Sequence, residues 1–130
     1  MPKVSKHTLS PEKIKTLAER LAKTVLLLRD EKSLQSFFND LLTPSEKIML
    51  GKRLLIALFL ERGHSYLDIS RMLKVSEATI GGVNERLQNG GNGFRIAFKR
   101  LGRVEKPEEL VECFGSALER MPSKAGSGRW

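Results

Sequence analysis

The side chains best suited to catalysis are sparse and scattered in this 130-residue chain. Neither of the two histidines, His7 and His64, has a second histidine or a cysteine at ligand spacing, so no metal site is expected. Cys113 is the single cysteine, which rules out an intramolecular disulfide and fits a reducing compartment. It reads as a buried thiol on an amphipathic helix rather than as a redox sensor. No glycine-rich loop leads into a Lys-Ser/Thr pair, and no nucleophile, base and acid are arranged as a triad. The expectation is a protein that binds rather than catalyses and that needs no cofactor.

What the chain does offer is cations and short hydrogen-bonding side chains. Its formal net charge is +8, which favours a polyanionic partner because each phosphate contact releases a condensed counterion. Charge alone does not separate DNA from RNA or anionic lipid, nor from a basic protein with no such partner. The segment 66–88 concentrates the relevant side chains. Ser76, Glu77 and Thr79 could meet base edges, while Arg71, Lys74 and Arg86 could meet phosphates. Tyr66, Gly81 and Gly82 complete the candidate DNA-binding set. The cluster Lys99-Arg100, Arg103 and Lys106 reads first as a solvated face and second as a source of further backbone contacts.

These residues need elements to position them, and every element signal is helical. Ser10-Pro11 reads as an N-cap followed by the first helical residue, with Glu12 in the first turn. Apolar residues follow at helical spacing: Ile14, Leu17, Leu21, Val25 and Leu28. Asp30-Glu31-Lys32 interrupts that pattern before a short helix carrying Leu34, Phe37, Phe38 and Leu41. Thr43-Pro44-Ser45-Glu46 is a capping box opening a helix to about Arg62, where Gly63 stops it. Residues 54–60 are apolar nearly all round, so this helix should be the buried centre. Residues 89–93 read as a loop, 94–101 as a short basic amphipathic helix, and Pro107 as the opening of a last helix. No stretch alternates long enough for a strand. The expected organisation is a disordered terminus at 1–10, a single helical domain at 11–121 and a flexible tail at 122–130. The apolar runs are too short to span a membrane, so the protein is expected to be cytoplasmic.

Within 66–88 the pattern is that of a helix-turn-helix. Ser65-Tyr66-Leu67-Asp68 caps a short helix ending near Leu73, Lys74-Val75-Ser76 is the turn, and Ser76 caps a helix from Glu77 to about Gln88. Ile69, Leu73, Val75, Ile80 and Val83 supply its interior, and Ser70 is small where the helices come closest. Two features are unfavourable. A left-handed backbone at Lys74 would cost about 1 kcal/mol. Gly81-Gly82 weakens the second helix by roughly 0.5–1 kcal/mol per residue relative to alanine. Close approach of DNA or of a neighbouring helix would offset that cost; a frayed helix that orders on binding is the alternative. An ordinary helical hairpin would carry similar spacings.

The motifs Leu42-Thr43-Pro44-Ser45-Glu46, Leu50-Gly51-Lys52-Arg53, Arg62-Gly63-His64-Ser65-Tyr66 and Ala78-Thr79-Ile80 resemble the tryptophan repressor superfamily. Gly63-His64-Ser65-Tyr66, Ala78-Thr79-Ile80 and the segment 87–93 are similar to its tryptophan-repressor-like branch, the YerC/YecD group. The resemblance covers roughly residues 37–101. It implies an all-α protein whose N- and C-terminal helices intertwine in a homodimer, with one helix-turn-helix per subunit binding double-stranded DNA. It also implies a ligand pocket at Thr43, Arg53, Gly82 and Arg86. In the tryptophan repressor an indole lies between two arginines; the first matches Arg53, but the second falls at Gly82 and a nearby serine at Arg86. The resemblance therefore disfavours tryptophan as effector and names no replacement. The leading expectation is a sequence-specific transcriptional repressor. Its competitors are a helical module docking on the transcription machinery and a non-specific nucleic-acid-binding protein.

Overall fold

The computed structural model describes residues 9–103, which hold six α-helices and no strand. They are α1 (Pro11–Leu27), α2 (Glu31–Leu41), α3 (Pro44–Glu61), α4 (Tyr66–Leu73), α5 (Glu77–Gln88) and α6 (Asn92–Leu101). The expected last helix with Cys113, Lys106, His7 and the tail at 122–130 lie outside the described residues, as does most of the segment 1–10.

Local chemistry sets the helix starts. Ser10 accepts from the Lys13 N–H at 3.3 Å and Pro11 follows it into α1. Asp30, expected to interrupt the pattern, is the N-cap of α2: its carboxylate accepts from the Ser33 N–H at 2.8 Å. That bond, then one from the Ser33 side chain, holds the Asp30 carboxyl below its ordinary pKa. The capping box at α3 is reciprocal, with the Thr43 N–H donating to Glu46 at 2.8 Å and the Glu46 N–H to Thr43 Oγ1 at 3.2 Å. Gly63, at φ 86°, ends α3 as expected.

The chain divides into two compact units between Lys47 and Ile48, inside the first turns of α3. In the first, neither α1 nor α2 has a buried residue. Ile14, Leu17 and Leu21 of the apolar stripe are exposed, and Val25 and Leu28 are half-buried. In the second, one core joins Leu55, Ile56, Ala57, Leu58 and Phe59 of α3 to Ile69 and Leu73 of α4, Val75 of the turn, and Ile80, Val83 and Leu87 of α5. Phe94 and Phe98 of α6 stack at 5.8 Å between ring centroids and pack against that core.

The middle of α3 is buried as expected: Leu55, Ile56, Ala57, Leu58 and Phe59 follow one another and so cover every side of the helix. Only the ends of the run 54–60 are open, Leu54 at 41 % exposed and Leu60 half-buried. One expectation is corrected. The loop expected at 89–93 is shorter, because Asn92 and Gly93 already belong to α6. Gly91 allows this tight turn: at φ 80° it is left-handed, and a Cβ there would lie 2.8 Å from the Leu87 carbonyl oxygen.

Candidate nucleic-acid interface

The turn between α4 and α5 is built around Ser70. Its carbonyl accepts from the Lys74 N–H and, at 3.4 Å, from the Val75 N–H. Its hydroxyl donates to the Val75 carbonyl at 2.7 Å. A small polar residue is thus needed here for bonding as well as for space. Lys74 adopts the left-handed conformation, φ 55° and ψ 51°, which is unfavourable for a residue with a Cβ. Three bonds from Ser70 and the burial of Val75, 5 % exposed, offset that strain. The next residue, Ser76, accepts from the Thr79 N–H at 3.1 Å and its hydroxyl lies 2.9 Å from that of Thr79.

The opposite end of α5 is held by Arg95. Its guanidinium donates to the carbonyls of Leu87 at 3.0 Å and Gly90 at 2.8 Å. It also donates to Glu61 on α3 at 3.2 Å. These bonds satisfy carbonyls that a helix C-terminus leaves unpaired. Sequence reading missed Arg95, because nothing within a few residues of it announces partners on α3 and α5. His64 sits in the turn before α4, its N–H on the Phe59 carbonyl at 3.1 Å and its ring edge-on to Phe59.

The DNA-binding set falls into three groups. Arg71, Lys74, Glu77, Gly82 and Arg86 are exposed. Ser76 and Thr79 are half-buried and hydrogen-bonded to one another, so their hydroxyls are partly engaged in starting α5. Tyr66 is half-buried against the core, and its ring would lie 3.9 Å from a Cβ at Gly81. At Gly82 an added Cβ would meet nothing within 4 Å. No neighbouring helix among the described residues therefore requires a glycine at 82, and α5 is unbroken through the pair.

A groove of about 610 Å³ runs between α3 and α5. One wall is Met49, Lys52, Arg53 and Ile56, spaced i, i+3, i+4 and i+7 along a single face of α3. The other is Ser76, Ala78, Thr79, Gly82, Val83 and Arg86 of α5. Of the four expected pocket residues, Arg53, Gly82 and Arg86 meet here. Thr43 is not in the lining; it lies in the first unit, engaged in its capping box with Glu46. Lys52, which the sequence reading did not select, is 9 % exposed and is the one buried charged residue among those described. Burial, then the nearby charge of Lys74, holds its ammonium below the usual lysine pKa. The i, i+3, i+4, i+7 spacing with Met49 and Ile56 was the available signal. Among the described residues no group of His, Cys, Asp and Glu could hold a metal, and no helix is long and apolar enough to cross a membrane.

Comparison with known proteins places this geometry. The profile of the family described as Trp repressor protein matches residues 15–102. Over 87 residues the chain is 32 % identical to the uncharacterized protein YerC of Bacillus subtilis (strain 168), spanning 67 % of this chain and 84 % of that one. The crystal structure of a TrpR-like protein from Eubacterium eligens ATCC 27750 is 38 % identical and superimposes with a TM-score of 0.64, covering 73 % of this chain and 99 % of that one.

Proposed function

The chain belongs to the Trp repressor protein family, and from that premise we propose that it is a homodimeric, sequence-specific repressor of transcription that acts on double-stranded DNA. The family membership supports a DNA-binding regulator rather than an enzyme. The observation that carries the finer reading is the α4–turn–α5 unit. Its core is closed and its turn is bonded through Ser70, yet α5 turns Glu77, Gly82 and Arg86 to solvent, flanked by exposed Arg71 and Lys74. A helix held this firmly, with cations on its flanks, suits insertion into a major groove. Glu77 is the best placed to accept from a cytosine amino group, and Arg71, Lys74 and Arg86 to meet phosphates. Gly82, which no neighbour among the described residues requires, lets backbone approach the duplex closely.

The homodimer is supported by α1 and α2, which bury no residue of their own. Exposed apolar faces of that extent mark an interface. The site of action of such a regulator is the cytoplasm. The groove between α3 and α5 supports a small-molecule effector at Arg53, Gly82 and Arg86 as a second reading. Tryptophan is not that effector, because Gly82 offers no side chain to cover one face of the indole.

Selection from a random duplex pool tests the function. Enrichment of a two-fold symmetric site, bound by a dimer in sedimentation, is expected. Equal retention of all duplexes would identify a non-specific binder, and retention of none would leave a protein-docking module. A tenfold tighter complex in millimolar L-tryptophan, about 1.4 kcal/mol of coupling, would overturn the exclusion of tryptophan.

A further inference from the structure

A recognition helix meets the duplex with its first half, but its direction depends on how its other end is held. α5 has 12 residues, about 18 Å at 1.5 Å per residue. Its start is fixed by the Ser76 cap and by the turn bonded through Ser70. Its middle is Gly81-Gly82, where two successive residues have no side chain to pack. Leu87, 2 % exposed, seats the far end in the core, but apolar burial is not directional. Direction comes from three nitrogens of Arg95. Nη2 donates to the Leu87 carbonyl at 3.0 Å, Nη1 to the Gly90 carbonyl at 2.8 Å, and Nε to Glu61 Oε1 at 3.2 Å. Arg95 stands on α6, and Glu61 is the last residue of α3. One guanidinium therefore ties the end of α5 to two other helices.

We infer that Arg95 is a positioning residue for sequence recognition: braced by Glu61, it fixes the direction in which α5 presents Glu77 to base edges. This rests on the DNA-binding reading. Both side chains of the pair reach solvent, at 46 % and 34 % exposed, and an ion pair this open adds little to stability. What the arrangement supplies is geometry. A base edge forms a hydrogen bond only within narrow limits of distance and angle, and so requires a helix that does not tilt. Phosphate contacts carry no sequence information, and long flexible cations can follow a tilted helix. Loss of the brace therefore costs discrimination between duplexes before it costs general affinity. Lysine is no substitute, because its compact ammonium does not offer donors spread over a rigid planar fork.

The test compares wild type, Arg95→Met, Arg95→Lys and Glu61→Ala on a duplex recovered by selection and on an unrelated duplex of equal length, each across a salt series. Arg95→Met is expected to lose about tenfold in the ratio of the two affinities, with the slope of log K against log salt unchanged. Arg95→Lys keeps the charge and should lose nearly as much. Glu61→Ala leaves both carbonyl bonds in place and should lose about threefold, one bond of the three being gone; a residue that merely capped α5 would not respond to it. Removing the Glu61 charge affects both duplexes alike, so the ratio isolates the effect of direction. A wild-type ratio in Arg95→Met or in Glu61→Ala would overturn the inference. So would a slope lower by about 0.9 with the ratio kept, which would make Arg95 a phosphate contact. Should Arg95→Met fail to fold, Glu61→Ala, altered at an exposed residue, still decides. A wild type that binds both duplexes alike, or neither, would instead defeat the reading of sequence-specific DNA binding itself, and the inference with it.

Discussion

The two units of this chain solve the burial of apolar side chains in opposite ways. The unit beginning at Ile48 closes a core from three helices and a turn, with Phe59, Ile56, Ile69, Leu73, Ile80 and Leu87 almost wholly removed from solvent. The unit ending at Lys47 buries nothing in α1 or α2, although Leu17 is 61 % exposed and Leu26 78 %. The difference lies in packing rather than composition. In α3–α5 the apolar positions meet in one core, whereas no residue of α1 is buried. One unit closes a core of its own; the other leaves open the apolar side chains on which the proposed homodimer rests.

The largest effect should come from the closed core. Phe59→Ala removes the biggest buried side chain, and loss of about 3–5 kcal/mol is expected, measured by denaturant unfolding. A cost below about 1 kcal/mol would mean that the core is less closed than described. Next, Leu21→Glu with Val25→Glu should convert dimers into monomers in sedimentation while the helical signal of α3–α5 survives. Monomeric wild type at micromolar concentration would remove the contrast altogether.

Smaller effects probe the reading head. Ser76→Ala deletes the acceptor that starts α5 and should cost about 1 kcal/mol. Lys74→Gly should change stability in the other direction by about 1 kcal/mol, since glycine takes the left-handed conformation without strain. It should nonetheless weaken duplex binding. Smallest of all, Gly82→Ala should stabilise the fold by roughly 0.5–1 kcal/mol, because its Cβ meets nothing. Tighter or unchanged DNA binding in that variant would show that the glycine does not serve close approach to the duplex.

Much of this was legible beforehand, and the reasons are local. The capping box Thr43-Pro44-Ser45-Glu46, the caps Ser10, Ser65 and Ser76, and the stop at Gly63 act through side chains within four residues of the backbone they satisfy. The spacing of Ile69, Leu73, Val75, Ile80 and Val83 defines the interior of two crossed helices almost unaided, and all five are buried. The family resemblance rested on the same stretch and is borne out.

The sequence by itself therefore determined where α1, α3, α4 and α5 begin, and that α4 and α5 form a helix-turn-helix. Only the tertiary structure decided which face of α3 meets α5. That choice exposes Leu54, buries Lys52 and brings Arg53 opposite Gly82 and Arg86. It decided as well that Arg95 reaches back to the carbonyls of α5 and to Glu61. A helix that is apolar nearly all round carries no periodic signal of its own orientation. The rotation about its axis is settled by how its side chains fit against helices distant in sequence, and the surroundings of every charge on it follow from that fit.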